Sequence, residues 1–397
     1  MPKRHGGSSG HRMKEDSPAT GRAVSLRVMS ARMLQGTLSL LAVICLIVAV
    51  ERFGQSRGTQ VAKAEPGSSA GPSAAPRLPG LVASPRSSGG SREAVLWLND
   101  GLAPQRFDGD SQPGSPRGDQ APQLRFGLIT DVQYADKESL GPRHYREAAD
   151  RLKEAVLQLN QRDLGFVANL GDLIDGRGAE TGADLDTVLG ILNQLKAPVR
   201  HVIGNHCAEI DRATLQQALR MTASYYDFPV ETWRFVVLDG MDVSVRSAVG
   251  SPQWREARVY LRRNPYLPTY NGAIGANQLQ WLRGTLNQAR SASQRVVVFC
   301  HHSLLPAASD RYNVLWNWEE VVRALASAGC VVAVFTGHDH RGGYAQQNGI
   351  HHVTLPAIVE SAAGAEPYVV VDLFSDRLVL RGNGVPRTLA QTSQTVE

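Results

Sequence analysis

The sequence predicts an α/β (α+β) domain over residues 124–385, preceded by a membrane anchor and a disordered linker. Two observations predict the domain: strand-length apolar runs alternate with helical periodicity, and polar side chains follow the ends of the runs. A third observation bounds it, because the residues before it do not have the composition of a packed core. The chain as a whole, with 397 residues, 42% hydrophobic and 20% charged, is globular in composition.

The predicted strands are apolar runs rich in β-branched or aromatic residues, each ending at Gly, Asp, Asn or His. They are LRFGLITD (124–131), FVANLGD (166–172), VRHVIGNH (199–206), WRFVVLD (233–239), RVVVFCHH (295–302) and CVVAVFTGHDH (330–340). Amphipathic helices are predicted between them at 145–160, 184–195, 211–223, 276–290 and 317–328. After His340, IHHVTLPAIVE, PYVVVDLF and DRLVLRG are predicted to be consecutive strands joined by turns. This alternation predicts a sheet core with helices outside.

Residues 33–50 are predicted to be a transmembrane anchor, because they are 18 residues long, uncharged and strongly apolar. Seven Lys or Arg residues lie in the preceding basic flank, residues 1–32. By the positive-inside bias, the N-terminus stays in the cytoplasm and the domain lies outside it.

Two alternatives to an uncleaved anchor follow from the same region. Cleavage near Ala62-Lys63-Ala64, which resembles a small-residue signal peptidase site, would secrete the domain. A gene start at Met29 or Met33 instead of Met1 would leave the protein in the cytoplasm.

Residues 51–123 are predicted to be a disordered linker, since Gly, Ser, Pro, Ala and Gln dominate them and cannot bury enough apolar surface to offset chain entropy. The exception is EAVLWLNDGL (93–102), which is predicted to be either a docking segment or a transient helix. Residues 386–397 are predicted to be a tail. The first 57 residues carry a surplus of six positive charges within a whole-chain charge of +5, so the domain is not basic and nucleic acid is not predicted as a partner.

Polar side chains follow five of the predicted strands. They are Asp131 and Gln133, Asp172 and Asp175, Asn205 and His206, His301, and His338 with His340. Loops at the carboxyl ends of such strands assemble the sites of sheet-based enzymes. Several carboxylates meeting there raise one another's pKa unless cations compensate them. The mixture of oxygen and imidazole donors suits Mn, Fe or Zn, and there are enough donors for two ions that share a carboxylate.

The order D-x-Q, GDxxD, GNH, H and GHxH resembles that of the calcineurin-like metallophosphoesterases. Several stretches are similar to one branch, the manganese-dependent ADP-ribose/CDP-alcohol diphosphatases: DVQYAD (131–136), RHYREA (143–148), NGAIGANQLQWL (271–282), LWNW (315–318), GHDHRGGY (337–344) and GIHHVTLPAIVES (349–361). The resemblance covers residues 124–384. It implies a β-sandwich flanked by helices, with four layers in the order αββα, and two divalent metal ions, Mn or alternatively Fe or Zn.

The resemblance also implies roles for individual residues. One metal would be held by Asp131, Gln133, Asp172 and His340, and the other by Asp172, Asn205, His301 and His338, so that Asp172 bridges them. His206 would stabilise charge or protonate the leaving group, and Asp175 would support it. Four residues are expected to face the substrate: Arg143, Trp316, Asn317 and Tyr344. His302, His351 and His352 are expected to be packing or outer residues.

The implied activity is hydrolysis of the phosphoanhydride bond in nucleoside diphosphate-linked compounds, giving a nucleoside monophosphate and a phosphorylated sugar or alcohol. One alternative is a phosphomonoesterase or cyclic-nucleotide phosphodiesterase with the same metal ligands. Another is a metal-dependent nucleotide-binding module without turnover, although neither a ligand nor His206 has been lost. The sequence departs from the family pattern in a shorter segment between Tyr134 and Arg143, at Cys207 and at Arg341, which bears on substrate preference.

Overall fold

The computed structural model describes residues 91–98, 121–362, 365 and 367–393. All of them belong to one compact unit, Ser84–Glu397. The strands are β1 Glu93–Trp97, β2 Leu124–Ile129, β3 Phe166–Asn169, β4 Val199–His201, β5 Tyr226–Val230, β6 Trp233–Val237, β7 Arg295–Phe299, β8 Val331–Thr336, β9 Gly343–Gln347, β10 Ile350–Thr354, β11 Val369–Leu373 and β12 Arg377–Arg381. The α-helices are α1 Glu147–Leu159, α2 Thr181–Leu192, α3 Arg212–Ala218, α4 Pro252–Arg263, α5 Ala276–Ser291, α6 Trp318–Ala328 and α7 Arg387–Ser393, and short 3-10 turns lie at Gly178–Glu180, His206–Glu209 and Pro306–Ala308.

Within this described region the strands form two mixed sheets of six. The first has the order β1-β12-β11-β2-β3-β4 and the second the order β5-β6-β7-β8-β10-β9. Strands β2, β3 and β4 are parallel, as are β6, β7, β8 and β10. The remaining strands, β1, β5, β9, β11 and β12, pair antiparallel with their neighbours. Parallel neighbours bring their carboxyl ends to one edge of each sheet, so the loops after β2, β3, β4, β7 and β8 become neighbours.

Aromatic side chains fill the space between the two sheets. Phe126 and Phe166 of the first sheet contact Phe235 and Phe299 of the second, with ring centroids 4.9 Å apart for Phe166 and Phe235. Helices α1 and α2 pack on the outer face of the first sheet, and α5 and α6 pack on that of the second. The predicted α/β fold class is confirmed, and the layers run helix, sheet, sheet, helix.

Three elements within the predicted domain, residues 124–385, were missed by the sequence analysis. β5 (YDFPV) is an edge strand that is only half-buried and contains a proline, and β9 (GYAQQ) is polar and partly exposed, so neither has the apolar run of a buried strand. Helix α4 (PQWREARVYLRR) is mostly polar and has one buried residue, Ala257, so it lacks the apolar residues of a core helix. Helix α3 ends at Ala218 instead of residue 223.

The structure corrects the predicted disordered linker at residues 93–97, because these residues form β1 at the edge of the first sheet. β1 pairs antiparallel with β12, and its alternate residues Ala94 and Leu96 are buried in the core between the sheets. Glu93 and Arg381 form an ion pair of 2.6 Å across the two strands. The segment therefore docks as a strand and is not a transient helix. The predicted tail is also ordered in part, because α7 buries Leu389 in the same core.

No helix among the described residues is long and apolar enough to cross a membrane. The predicted anchor, residues 33–50, lies outside the described residues, as do the basic flank and most of the linker.

Candidate metal centre

The seven predicted metal ligands lie together at the carboxyl ends of five strands drawn from both sheets. Asp131 and Gln133 follow β2, Asp172 follows β3, Asn205 follows β4, His301 follows β7, and His338 and His340 follow β8. The first five are buried, and the last two histidines are partly exposed. The centre therefore lies where the ends of the two sheets meet.

One group of side chains surrounds Gln133. Its Nε2 lies 3.1 Å from His340 Nε2 and 3.4 Å from Asp172 Oδ2, and His340 Nε2 lies 3.4 Å from Asp131 Oδ1. These four are the residues that the resemblance assigns to one metal.

The second group surrounds His301. Its Nε2 lies 3.1 Å from Asp172 Oδ2 and 3.1 Å from Asn205 Oδ1. Asp172, His301 and His338 each offer one atom within 4.8 Å of the others, which is close enough for a shared cation. Asp172 contacts members of both groups, as a bridging carboxylate would.

Each of the three imidazoles has one nitrogen bonded to an oxygen at the periphery. His301 Nδ1 lies 2.9 Å from Leu170 O, His338 Nε2 lies 2.9 Å from Asn271 Oδ1, and His340 Nδ1 lies 2.6 Å from Glu360 Oε1. These oxygens can only accept, so the imidazole N–H donates to each of them. The remaining nitrogens, Nε2 of His301 and His340 and Nδ1 of His338, are the ones that could bind a cation.

Two buried oxygens in the centre accept no hydrogen bond from the described residues. They are Asp131 Oδ1 and Gln133 Oε1, which lie in the same group. A buried polar atom without a partner costs free energy, and a cation would satisfy both. The residues present therefore fit a divalent metal with mixed oxygen and nitrogen ligands.

The backbone is strained at four of the predicted ligands. Asp131, Gln133, Asp172 and His338 have φ of 49°, 42°, 52° and 68°, in the left-handed region that residues other than glycine rarely adopt. Such strain is concentrated at functional sites, where the surrounding structure holds it.

Glycine is required in GNH and GHxH because the backbone there lies very close to neighbouring side chains. A Cβ on Gly204 would overlap Asp172 Oδ1, and one on Gly337 would overlap Asp131 Oδ2 and Thr130 Oγ1. The loops can therefore approach the two carboxylates only with glycine at these positions.

The centre has the electrostatics of a cation site. Burial opposes ionisation of Asp172 and Asp131, but the nearby histidines, His301 first, hold the pKa of both below the ordinary value. Burial acts to lower the pKa of His301, yet Asp172 and Asp131 raise it to about 9. The nearby carboxylates of Asp131 and Glu360 likewise outweigh burial and raise the pKa of His340 to about 9. The buried carboxylates therefore attract positive charge, which metal ions would supply in place of protons.

His206 lies beside the ligands and is held by two acidic residues. Its backbone N–H donates to Asp172 Oδ1 at 2.8 Å. Its ring Nδ1 donates to the carbonyl oxygen of Asp175 at 3.1 Å and lies 3.2 Å from Asp175 Oδ1. The ring is partly exposed, and Nε2 is the nitrogen left for a substrate. Asp175 is also ion-paired with Lys137, a contact that the sequence analysis did not predict.

Of the four residues expected to face the substrate, Arg143 lies at the rim of the centre. Its partly exposed guanidinium is 3.6 Å from Glu360 Oε1 and 3.9 Å from Asp175 Oδ1. These distances are longer than hydrogen bonds, so its N–H donors have room for another partner.

The other three make contacts within the protein, and their role toward the substrate stays a prediction. Trp316 is buried, stacks on Tyr260 and donates Nε1–H to a backbone carbonyl. Asn317 uses both amide atoms on the backbone of Ile274. Tyr344 packs against the core between the sheets, with its hydroxyl 3.0 Å from His351 Nδ1. All three hold loops and strands in place.

The remaining histidines lie outside the ligand groups. His302 is buried with its ring 4.4 Å from that of His338, and burial together with His301 lowers its pKa to about 3. His351 is bonded to Tyr344 and to Trp97 O in β1. His352 is buried in β10.

Sequence reasoning assigned no role to Asn271 and Glu360, which orient His338 and His340. Asn271 lies before α5 and Glu360 lies between β10 and β11, so neither directly follows a strand of the site. The signal was present in the stretches NGAIGANQLQWL and GIHHVTLPAIVES, which contain them.

The comparisons with known proteins agree with this geometry. A model of the calcineurin-like phosphoesterase family matches residues 124–342. A protein of Arabidopsis thaliana named manganese-dependent ADP-ribose/CDP-alcohol diphosphatase is 34% identical over 296 residues, covering 66% of this chain and 94% of the relative. A mouse protein of the same name is 29% identical over 319 residues, covering 68% and 94%.

The crystal structure of a dimetal phosphatase from Danio rerio superposes with a TM-score of 0.62 at 32% identity. The match covers 66% of this chain and 96% of that one. The family model spans more than half of the chain, and the relatives are matched over nearly their full length. The dimetal phosphatase also shares the fold. This chain belongs to the calcineurin-like phosphoesterase family.

Proposed function

We propose that this protein is a hydrolase that uses two divalent metal ions, Mn before Fe or Zn, to cleave the phosphoanhydride bond of nucleoside diphosphate-linked compounds. The substrate class is that of ADP-ribose and CDP-alcohols, and the products are a nucleoside monophosphate and a phosphorylated sugar or alcohol. One observation carries the proposal: three imidazoles, each bonded outward by one nitrogen, direct the other toward two buried carboxylates. The names of the relatives supply the substrate class.

The proposed ligand sets follow the two groups of contacts. Asp131, Gln133, Asp172 and His340 hold one metal, and Asp172, Asn205, His301 and His338 hold the other. His340 and His301 bind through Nε2 and His338 through Nδ1, because their other nitrogens donate elsewhere. Bound metals would polarise phosphate oxygens and lower the pKa of a water molecule.

The chain's own residues then position the substrate and move a proton. Arg143, at the rim, binds non-bridging phosphate oxygens through its N–H donors. His206, with Nδ1–H held by Asp175, presents Nε2 to the leaving phosphate and donates a proton to it. The histidine must be protonated before each such transfer.

The function is tested by assaying the full chain with Mn against a substrate panel. ADP-ribose, CDP-choline and CDP-glycerol should be cleaved in preference to p-nitrophenyl phosphate and cyclic AMP, with a nucleoside monophosphate among the products. Preferential turnover of the monoester or the cyclic nucleotide would contradict the diphosphatase assignment. Tight binding of the diphosphates without turnover would favour a binding module. The assay needs residues 91–98, since β1 is part of the first sheet.

We further propose that residues 33–50 anchor the protein in the membrane, with the catalytic domain outside the cytoplasm. The support is the uncharged 18-residue apolar segment preceded by seven Lys or Arg residues. The full chain should stay in the membrane fraction after a carbonate wash, and external protease should release the domain. A domain protected until lysis would reverse the orientation, and a soluble form beginning near Glu65 would indicate cleavage.

A further inference from the structure

The loop between α4 and α5 places an exposed tyrosine beside the metal centre. The ring centroid of Tyr270 lies 5.7 Å from that of His338, and 39% of Tyr270 is exposed. The next residue is Asn271, whose side chain bonds His338 and also donates to the carbonyl oxygens of Tyr312 and Val314. Because Asn271 fixes the backbone at this point, the position of the Tyr270 ring relative to the centre is fixed as well.

The polar end of Tyr270 is already engaged. Its hydroxyl lies 3.3 Å from Asn313 Oδ1 and 3.5 Å from Tyr312 O. Burial raises the pKa of Tyr270, so the hydroxyl stays a neutral donor. The part of Tyr270 that remains available beside His338 is therefore its ring, a flat apolar surface. The proposed proton transfer uses His206 and does not involve this ring.

A second exposed tyrosine, Tyr312, lies beside Tyr270, whose hydroxyl is 3.5 Å from the Tyr312 carbonyl oxygen. Tyr270 is 39% exposed and Tyr312 is 46% exposed. Single exposed aromatics need no explanation, but two neighbouring ones at the edge of a site form a candidate binding surface. The Arg311 guanidinium, 4.7 Å from the centroid of the Tyr312 ring, stabilises that ring.

We propose that Tyr270, with Tyr312 beside it, binds the nucleobase of the substrate by ring stacking. The inference rests on the proposed function and names where the base lies. Tyr270 is on the His338 side of the centre, whereas Arg143 is on the side of Glu360 and His340, so the base and the second half of the substrate lie on opposite sides. A stacking surface accepts purines and pyrimidines alike, because every base has a π-face. This fits a substrate class that includes both adenosine and cytidine compounds.

The test measures binding of two ligands to the Mn-loaded full chain by calorimetry. AMP carries a base, and ribose 5-phosphate has the same sugar and phosphate without one. The wild type should bind AMP more tightly than ribose 5-phosphate. Tyr270→Ala should weaken AMP binding by about 5- to 150-fold, the range for loss of one stacked base, and should leave ribose 5-phosphate within about twofold.

Two further variants separate the ring from other effects. Tyr270→Phe removes the hydroxyl and keeps the ring, so AMP binding should stay within about twofold of the wild type. Tyr266→Ala removes an exposed tyrosine of the same loop for which no contact with the centre is observed, and it should change neither affinity. Unchanged ribose 5-phosphate binding in each variant checks that the site is folded.

Three results would overturn the inference: equal weakening of both ligands by Tyr270→Ala, no weakening of AMP, or equal wild-type affinity for the two ligands. Because binding does not require turnover, the outcome is separate from that of the substrate panel. Cleavage of ADP-ribose with unchanged AMP binding in Tyr270→Ala would refute the stacking surface alone. Base-dependent binding without diphosphate cleavage would refute the proposed function alone.

Discussion

Asn205 and His206 are neighbours in the chain with different surroundings. Asn205 turns its amide oxygen to within 3.1 Å of His301 Nε2, in the second group of ligands. His206 contacts the group only through its backbone N–H, and its ring is directed by Asp175. The proposed metal-binding residue and the proposed proton donor are therefore adjacent in the chain.

Substitutions at the two positions should fail differently. Asn205→Ala should lower metal occupancy, with activity partly recovered at high Mn, because it removes an oxygen ligand. His206→Ala should keep its metals and lose about 100- to 10,000-fold in turnover, the range for a general acid or charge-stabilising group. Metal analysis beside kinetics on ADP-ribose distinguishes the two.

The leaving group supplies the control for His206. A p-nitrophenyl ester has a leaving group of low pKa that needs no proton, so His206→Ala should lose less activity on it than on ADP-ribose. His206→Ala protein without metals, or with equal losses on both substrates, would contradict the acid role.

The contribution of Glu360 to metal binding can be measured separately, because Glu360 contacts the predicted ligand His340. The bond from His340 holds the pKa of Glu360 below its ordinary value, so an ionised carboxylate orients the imidazole. Glu360→Gln should weaken Mn binding by about 10- to 100-fold, as expected for the outer partner of a ligand histidine. Glu138→Gln, which loses an exposed ion pair with Arg146, is the matched control in Mn titrations. Equal Mn affinity in the two variants would exclude this role for Glu360.

At the scale of elements, β1 belongs to the first sheet although the residues around it have the composition of a linker. Its pairing with β12 covers an edge of the sheet, and Leu96 enters the core between the sheets. β1 is thus part of the folded domain and not of the predicted linker before it.

Leu96→Ala should lower the free energy of unfolding by about 2 to 5 kcal/mol, because it leaves a cavity in a packed core. The control is Glu93→Ala in the same strand, which removes an exposed ion pair with Arg381 and should cost about 1 kcal/mol or less. Urea denaturation measures both. If the two variants were equally stable, β1 would not contribute its core residue to the fold.

At the scale of the whole molecule, the candidate metal centre joins the two sheets. Asp131, Asp172 and Asn205 come from loops of the first sheet, and His301 and His338 come from loops of the second. A metal bound between them would link the two layers at one end, in addition to the aromatic core. Metal binding should then stabilise the whole domain and not only the loops.

Mn should raise the unfolding temperature of the metal-free protein. At a free concentration 100 times the dissociation constant, one ligand stabilises the native state by about 2.7 kcal/mol, which corresponds to several degrees. Asp172→Asn, which weakens the shared carboxylate, should lose most of this shift. Calorimetric scans with and without Mn measure it, and an equal shift in both proteins would place the bound Mn elsewhere.

The sequence by itself determined the principal strands and helices of the domain and the polar residues that meet at their ends. Strand runs such as RVVVF and VVAVFT are apolar over their whole length because both faces of these sheets are covered, and this pattern is local. The glycines of GNH and GHxH are equally local signals, because they mark where backbone and carboxylate come too close for a side chain.

The tertiary structure alone decided which sheet each strand joins and which residues support the ligands. β10 and β11 are consecutive in sequence yet lie in different sheets, and EAVLW pairs with β12, nearly 300 residues away. Asn271 and Glu360 reach His338 and His340 from loops that follow no strand of the site. Trp316 stacks on Tyr260, which belongs to the mostly polar helix α4. These outcomes depend on contacts between segments distant in the chain, and no local periodicity encodes such contacts.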